Sequence, residues 1–248
     1  MDSSAFIRAL LEVVLAPGIR NQFTEVVVDE MTSAEDLRPL IREYLALLAL
    51  PAATIAGILA FYTAARTAAA TSLVSGEGRR PTFSLRTLCR ALKVAARNPC
   101  GGVRRSLLEG FSLAFLTELD RSSHPVILQL IGKHILGVKE AARLLKQPIQ
   151  QPAGARESVQ VEGFWIARGA EEPFTQEGYI LTEQVRRNLG DLCRIVSLCD
   201  HPVLLQGDTS VGKTSLVTHL ARLTGNSCVR VRVFKFIEFS SMFLQSSR

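Results

Sequence analysis

Residues 207–214 read Gly207-Asp208-Thr209-Ser210-Val211-Gly212-Lys213-Thr214, a match at every fixed position to the phosphate-binding pattern G-x-x-x-x-G-K-[ST]. Pro202-Val203-Leu204-Leu205-Gln206 before it is a short apolar run, as a buried parallel strand would be. Ser215 to Leu223 after it sets Leu216, Leu220 and Leu223 on one helical face. Strand, glycine-containing turn and helix N-terminus together make an anion cradle, because backbone N–H groups point inward and the helix dipole favours negative charge. Gly207 and Gly212 let the backbone approach phosphates closely. Lys213 would reach the β- and γ-phosphates of a nucleotide, and the Thr214 hydroxyl would sit on Mg²⁺. Gly207, Asp208, Thr209, Ser210, Val211, Gly212, Lys213, Thr214 and Ser215 are therefore the candidate cofactor-binding residues, with Thr214 the candidate metal contact.

Binding a nucleotide is not hydrolysing it. Turnover needs an acidic residue at the end of a later strand to organise Mg²⁺, and a polar residue to position water. After Cys228-Val229-Arg230-Val231 the chain reads RVFKFIEFSSMFLQSSR, whose one acidic residue is Glu238. No apolar run ending in paired acids follows the P-loop, so the nucleotide-binding unit is expected to be incomplete and inactive alone.

The composition supports a helical, intracellular chain. Hydrophobic residues make up 47% of the 248 positions, enough for a substantial core. A net charge of +6 is too diffuse to argue for direct nucleic-acid binding. The five cysteines form no CxxC pair, which fits reduced thiols and gives no metal-ligand spacing. Asp2 stands where a secretory signal would carry positive charge. Leu45 to Ala65 is uncharged, but Pro51 interrupts it, so two packed helices are expected there and no membrane span.

Residues 1–35 predict a helix from Ser3 to Leu15, a Pro17-Gly18 stop, and a β-branched strand from Thr24 to Asp29. Residues 36–146 predict an all-helical domain. Its helices begin near Asp36, since Pro39 fits only a first turn, and continue from Pro51 to Val74, Leu85 to Arg97, Val103 to Leu119, Ser123 to Leu136 and Lys139 to Lys146. Residues 147–158 (QPIQQPAGARES) are a linker by composition. Residues 159–231 open with a strand or hairpin over Val159–Arg168, continue with a helix from a Thr182 cap to Leu198, and reach the P-loop. Residues 232–248 form an atypical tail.

Tyr179-Ile180-Leu181-Thr182, the P-loop with its strand, and Thr224-Gly225-Asn226-Ser227-Cys228-Val229-Arg230 resemble the midasin family. So do Phe83 to Leu92, Asn98-Pro99-Cys100-Gly101, Leu145 to Ile149 and Val161 to Ala167. These are very large dynein-related chains with six AAA+ modules, acting in assembly of the large ribosomal subunit. The resemblance implies α/β P-loop (AAA+) fragments flanking an all-α lid, mostly helical overall: the end of one core in residues 1–35, its lid in 36–146, and the start of the next core in 159–231. It implies ATP and Mg²⁺ as cofactors. It places Arg20 where the family carries an arginine finger and Arg86 at the sensor-2 position, the two candidate catalytic residues. It implies neighbouring AAA+ modules, pre-60S particles and assembly factors as partners, and the nucleus (nucleolus and nucleoplasm) as location.

The expected function is thus an ATP-binding fragment of a ring ATPase that remodels nuclear pre-ribosomes. The family continues after Val231 into an acidic Walker B strand that this chain lacks, so a partial product or gene model is expected. A non-catalytic helical interaction module is the alternative; a stand-alone small P-loop NTPase conflicts with the missing acidic strand.

Overall fold

The computed structural model describes residues 30–151, 157–175, 177–198 and 202–231. The helix, strand and Arg20 expected in residues 1–29, and the tail 232–248, lie outside the described residues.

Helix α1 (Ala34–Tyr44) starts two residues earlier than Pro39 suggested. The Ser33 hydroxyl accepts from the Asp36 N–H at 3.1 Å and fixes the first turn. Pro39 therefore sits inside the helix. The carbonyl it leaves unpaired belongs to exposed Glu35, where water can reach it. A 3₁₀ turn (Ala46–Leu48) leads to Pro51 and the 20-residue helix α2 (Ala52–Thr71). This helix is long and apolar enough to cross a membrane by length and composition. Here one of its faces, with Ile58, Phe61, Tyr62 and Ala65, lies in the core.

The expectation that α2 runs to Val74 fails for a clear reason. Residues 73–76 turn aside to pair with the segment after the fourth helix: Val74 N–H donates to Ser123 Oγ at 2.9 Å, and Asp120 N–H donates to the Val74 carbonyl at 2.9 Å. Helices α3 (Leu85–Ala96) and α4 (Val103–Leu116) then pack as a close pair. A Cβ on Gly110 of α4 would lie 2.8 Å from the Ala91 carbonyl oxygen, so α3 approaches within reach only of glycine. Every residue from Ser106 to Leu116 is buried, which makes α4 the central helix.

Helix α5 (His124–Ile131) continues into a π turn (Gly132–Leu136), and α6 (Val138–Lys146) follows. The π turn presses on α2 at Gly57, where an added Cβ would stand 2.0 Å from the His134 carbonyl oxygen. The centre of this helical core is aromatic. Phe61 meets Phe111 and Phe115 edge-to-face at 5.2 and 5.0 Å between centroids, geometry that adds about 1 kcal/mol per pair beyond burial.

Strands β1 (Ser158–Val161) and β2 (Phe164–Ala167) form an antiparallel hairpin. Its two-residue turn, Glu162-Gly163, has φ of 46° and 85°, as this tight connection requires. Helix α7 (Glu183–Leu198) follows, its first turn capped where Val185 N–H donates to Thr182 Oγ1 at 3.3 Å. Helix α8 (Lys213–Thr224) comes after the P-loop. Hairpin, α7 and α8 share a second core that takes in Val94, Cys100 and Leu113 from the helical region.

Two expectations are corrected. The start of the 147–158 linker is packed: Ile149 is buried in the second core, and its carbonyl accepts from Trp165 Nε1 at 2.9 Å. An apolar residue and a backbone acceptor there outweigh the loop-like composition. Pro202–Gln206 is not a strand, and the hairpin is the sole sheet among the described residues. A strand needs a neighbour for its N–H and C=O groups; this run has none among the described residues, and Leu204 is 88% exposed.

Candidate functional site

The P-loop takes a turn that its sequence makes possible. Gly207 (φ 151°), Ser210 (φ 67°) and Gly212 (φ 85°) carry the chain through conformations that favour glycine. Ser210 is the non-glycine among them, and its left-handed conformation costs on the order of 1 kcal/mol, the kind of strain found at ligand clamps. Gly212 occupies the N-cap of α8 without a side-chain cap, so among the described residues no capping side chain takes the first-turn N–H groups.

Lys213 is the first residue of α8. Its ammonium folds back over the loop and donates to the carbonyls of Gly207 at 2.7 Å and Asp208 at 2.6 Å. Two of its three protons are so engaged, and the charge is held over the turn. Thr214 and Ser215 are exposed in the same helical turn. A positive charge, helix N–H groups and two exposed hydroxyls thus belong to the loop and the first turn of α8. That donor set suits a polyphosphate with a hydroxyl-bound divalent cation.

Behind the loop, Leu216, His219 and Leu220 bury one face of α8. Tyr179 stacks on His219, ring centroids 3.7 Å apart and planes 8° from parallel. His219 is 1% exposed, and neither ring nitrogen has a hydrogen-bond partner. Burial, and secondarily the nearby Arg222 charge, push its pKa down. Residues 169–174 then lace the C-terminal end of α8. Gly169 N–H donates to the Thr224 carbonyl at 2.9 Å and Phe174 N–H to the Arg222 carbonyl at 3.1 Å. The backbones cross so tightly that a Cβ on Gly169 would lie 2.0 Å from the Gly225 carbonyl oxygen.

Of the two other sequence candidates, one falls within the described residues. Arg86 is exposed in the first turn of α3, whose partners are α1 and α4. Arg20 lies outside the described residues. The structure brings Lys213 together with Thr214 and Ser215, and does not bring Arg86 to them.

Sequence reasoning missed the joint between the helical region and the P-loop unit. Glu109, 1% exposed in α4, accepts from Arg194 Nε of α7 at 2.9 Å and pairs with Arg105 at 2.7 Å. Arg121 pairs with Asp191, and Arg97 donates to the Leu198 carbonyl. Gln206, at the base of the P-loop, donates to Glu77 in the turn after α2. The one signal available was a charged residue, Glu109, inside the apolar run of α4.

Residues 36–138 match the family model of the midasin AAA lid domain. Over 229 residues the chain is 39% identical to midasin of Dictyostelium discoideum, covering 88% of this chain and 4% of that protein. Over 255 residues it is 32% identical to midasin of Giardia intestinalis, covering 92% of this chain and 5% of that protein. The chain thus spans about one twentieth of the relatives it matches.

Proposed function

Because this chain belongs to the midasin family, with a midasin AAA lid within it, we propose that it is a nucleotide-binding segment joining two AAA+ modules. Residues 207–215 bind ATP. Lys213 contacts the β- and γ-phosphates, the Thr214 hydroxyl carries Mg²⁺, and the first-turn N–H groups of α8 hold the phosphate oxygens. When bound, Mg²⁺ would supply charge neutralisation between the phosphates. The helical lid serves the nucleotide of the preceding module, through Arg86. Arg20 acts in trans as an arginine finger on a neighbouring module. In the parent protein these parts couple ATP hydrolysis to remodelling of pre-60S particles and release of assembly factors in the nucleus.

The observation that carries this reading is the P-loop itself: left-handed Ser210 and Gly212, and an ammonium held over the turn by the Gly207 and Asp208 carbonyls. Equilibrium binding of a fluorescent ATP analogue to the chain tests it. Saturable binding that needs Mg²⁺ and fails in Lys213→Ala is the expected result; identical binding by the two proteins would refute it.

A second reading has its own support. The helical region has its own buried core while Pro202–Gln206 has no sheet partner among the described residues, which suits a helical interaction module with a nucleotide site that does not turn over.

A further inference from the structure

Two clefts meet at the start of α4. The first, about 390 Å³, is lined by Arg104, Arg105 and Arg143 with Glu140 among them. The second, about 270 Å³, is apolar, with Leu48, Leu50, Pro51, Leu107 and Leu136 on its walls. Val103 and Arg104 line both, so basic and apolar halves share a wall.

The charges of the basic half do not balance. Arg105 is largely buried; it donates to the Gln147 carbonyl at 2.8 Å and pairs with Glu109, which Arg194 also uses. Arg104 and Arg143 lie at the rim, their side chains 68% and 58% exposed. Both rely on Glu140: Arg143 bonds it through Nε at 2.9 Å and Nη2 at 2.6 Å, while Arg104 reaches it at 3.7 Å. Two guanidiniums share one carboxylate, and Arg104 is held too loosely for a good hydrogen bond. The cleft lacks a negative charge beside an apolar slot.

From this shared wall we propose that the face of the lid formed by the starts of α2, α4 and α6 docks a peptide segment of a partner protein. That segment carries an apolar side chain next to one or more carboxylates. The apolar residue fills the slot between Leu48, Leu50 and Leu136. The carboxylate engages Arg104 and completes the pairing that Glu140 satisfies for Arg143. Guanidinium forks accept carboxylates in bidentate geometry, which gives the site direction as well as affinity. An extended polyanion such as RNA would use the arginines alone, since no aromatic side chain lines either cleft for base stacking.

The test is fluorescence anisotropy of a fluorescein-labelled peptide of alternating leucine and glutamate, titrated with the full 248-residue chain. Saturable, salt-sensitive binding is expected. The Arg104→Glu/Arg143→Glu double variant should weaken it about tenfold or more, because like charges then face each other. Leu50→Asp should weaken it too. A peptide with lysine in place of glutamate should bind the double variant better than it binds the unaltered chain, which separates charge recognition from misfolding. Equal binding of a glutamine-for-glutamate peptide, or no binding to the unaltered chain at low salt, would overturn the proposal. So would indifference to Leu50→Asp together with equal binding of an oligouridylate.

Discussion

Glu109 and Arg194, 85 positions apart, form a 2.9 Å charged hydrogen bond where the lid meets the helix before the P-loop. The carboxylate is 1% exposed and also holds Arg105, which in turn bonds the carbonyls of Leu144 and Gln147. One buried charge therefore ties α4, the end of α6 and α7. Removing it leaves two guanidiniums facing each other. Glu109→Ala should cost about 3–5 kcal/mol, the range for breaking a buried pair on one side. Urea unfolding should show it in a particular way. Trp165 is the sole tryptophan and reports on the hairpin, while circular dichroism reports on the helices. The two transitions should coincide in the unaltered chain and separate in Glu109→Ala. Coincident transitions in both would show that the joint does not depend on Glu109.

Gly57 and Gly110 should be intolerant of alanine. A Cβ at Gly57 would stand 2.0 Å from the His134 carbonyl oxygen, and one at Gly110 would stand 2.8 Å from that of Ala91. Backbone cannot yield as a side chain can. Each substitution should destabilise by about 1–3 kcal/mol despite the better helix propensity of alanine. Gly76→Ala, where the nearest atom to an added Cβ is the Glu118 carbonyl oxygen at 3.9 Å, is the control and should change the urea midpoint little.

The thiols should divide by burial. Desolvation pushes Cys100 up to about 11 and Cys193 up to about 12, so neither forms thiolate at neutral pH. Cys228 is exposed. In the native chain a disulfide reagent at pH 7.5 should modify Cys228 quickly and spare Cys100 and Cys193 until denaturant is added. Prompt labelling of Cys193 would mean that α7 leaves the second core easily.

Acid should loosen the P-loop helix through His219. Its folded pKa lies below the unfolded value of about 6.5, so the unfolded chain binds the proton more readily. Stability present above pH 6.5 is lost as pH falls through the folded pKa. His124, also depressed by burial, adds in the same direction. The melting temperature should fall between pH 7.5 and 5.5, and it should fall less in His219→Phe, which keeps an aromatic ring beside Tyr179. An equal fall in both proteins would exclude His219 as the source.

How much was legible follows from which residues act locally. Apolar spacing, with Pro51 and Pro39 read as first-turn residues, gave the helices of residues 36–146 to within a few residues, because these signals act on the chain beside them. Alternation over Val159–Arg168 pointed to a strand or hairpin, and the structure makes it a hairpin. What was not legible depends on distant partners. Helix α2 stops early because Ser123 and Asp120 claim Val74, and Ile149 is buried because Trp165 needs its carbonyl. Pro202–Gln206 carries a strand pattern that stays unpaired without neighbouring strands. The stacking of Tyr179 on His219 joins residues 40 apart, and no motif announced it.

The P-loop should bind ATP and leave it intact. Binding follows from what is in place: the Lys213 ammonium over the loop, the uncapped first turn of α8, and the Thr214 hydroxyl beside them. An ammonium against a triphosphate makes charge-assisted bonds, so Lys213→Ala should weaken binding about tenfold or more. Turnover requires more. Between Lys213 and Arg248 the acidic residue is Glu238, and the sequence has no apolar run leading to paired acids that could organise Mg²⁺ and water. The run before the P-loop is exposed at Leu204 and pairs with no strand among the described residues. Phosphoryl transfer is catalysed by positioning and by charge stabilisation together, and the phosphate-binding turn alone supplies only part of each. A phosphate-release assay on the purified chain, beside Lys213→Ala, should stay at background for both proteins while a fluorescent ATP analogue still separates them. Sustained release by the unaltered chain, abolished by the substitution, would establish a complete catalytic site and would require an acid in this chain to act where none is now assigned.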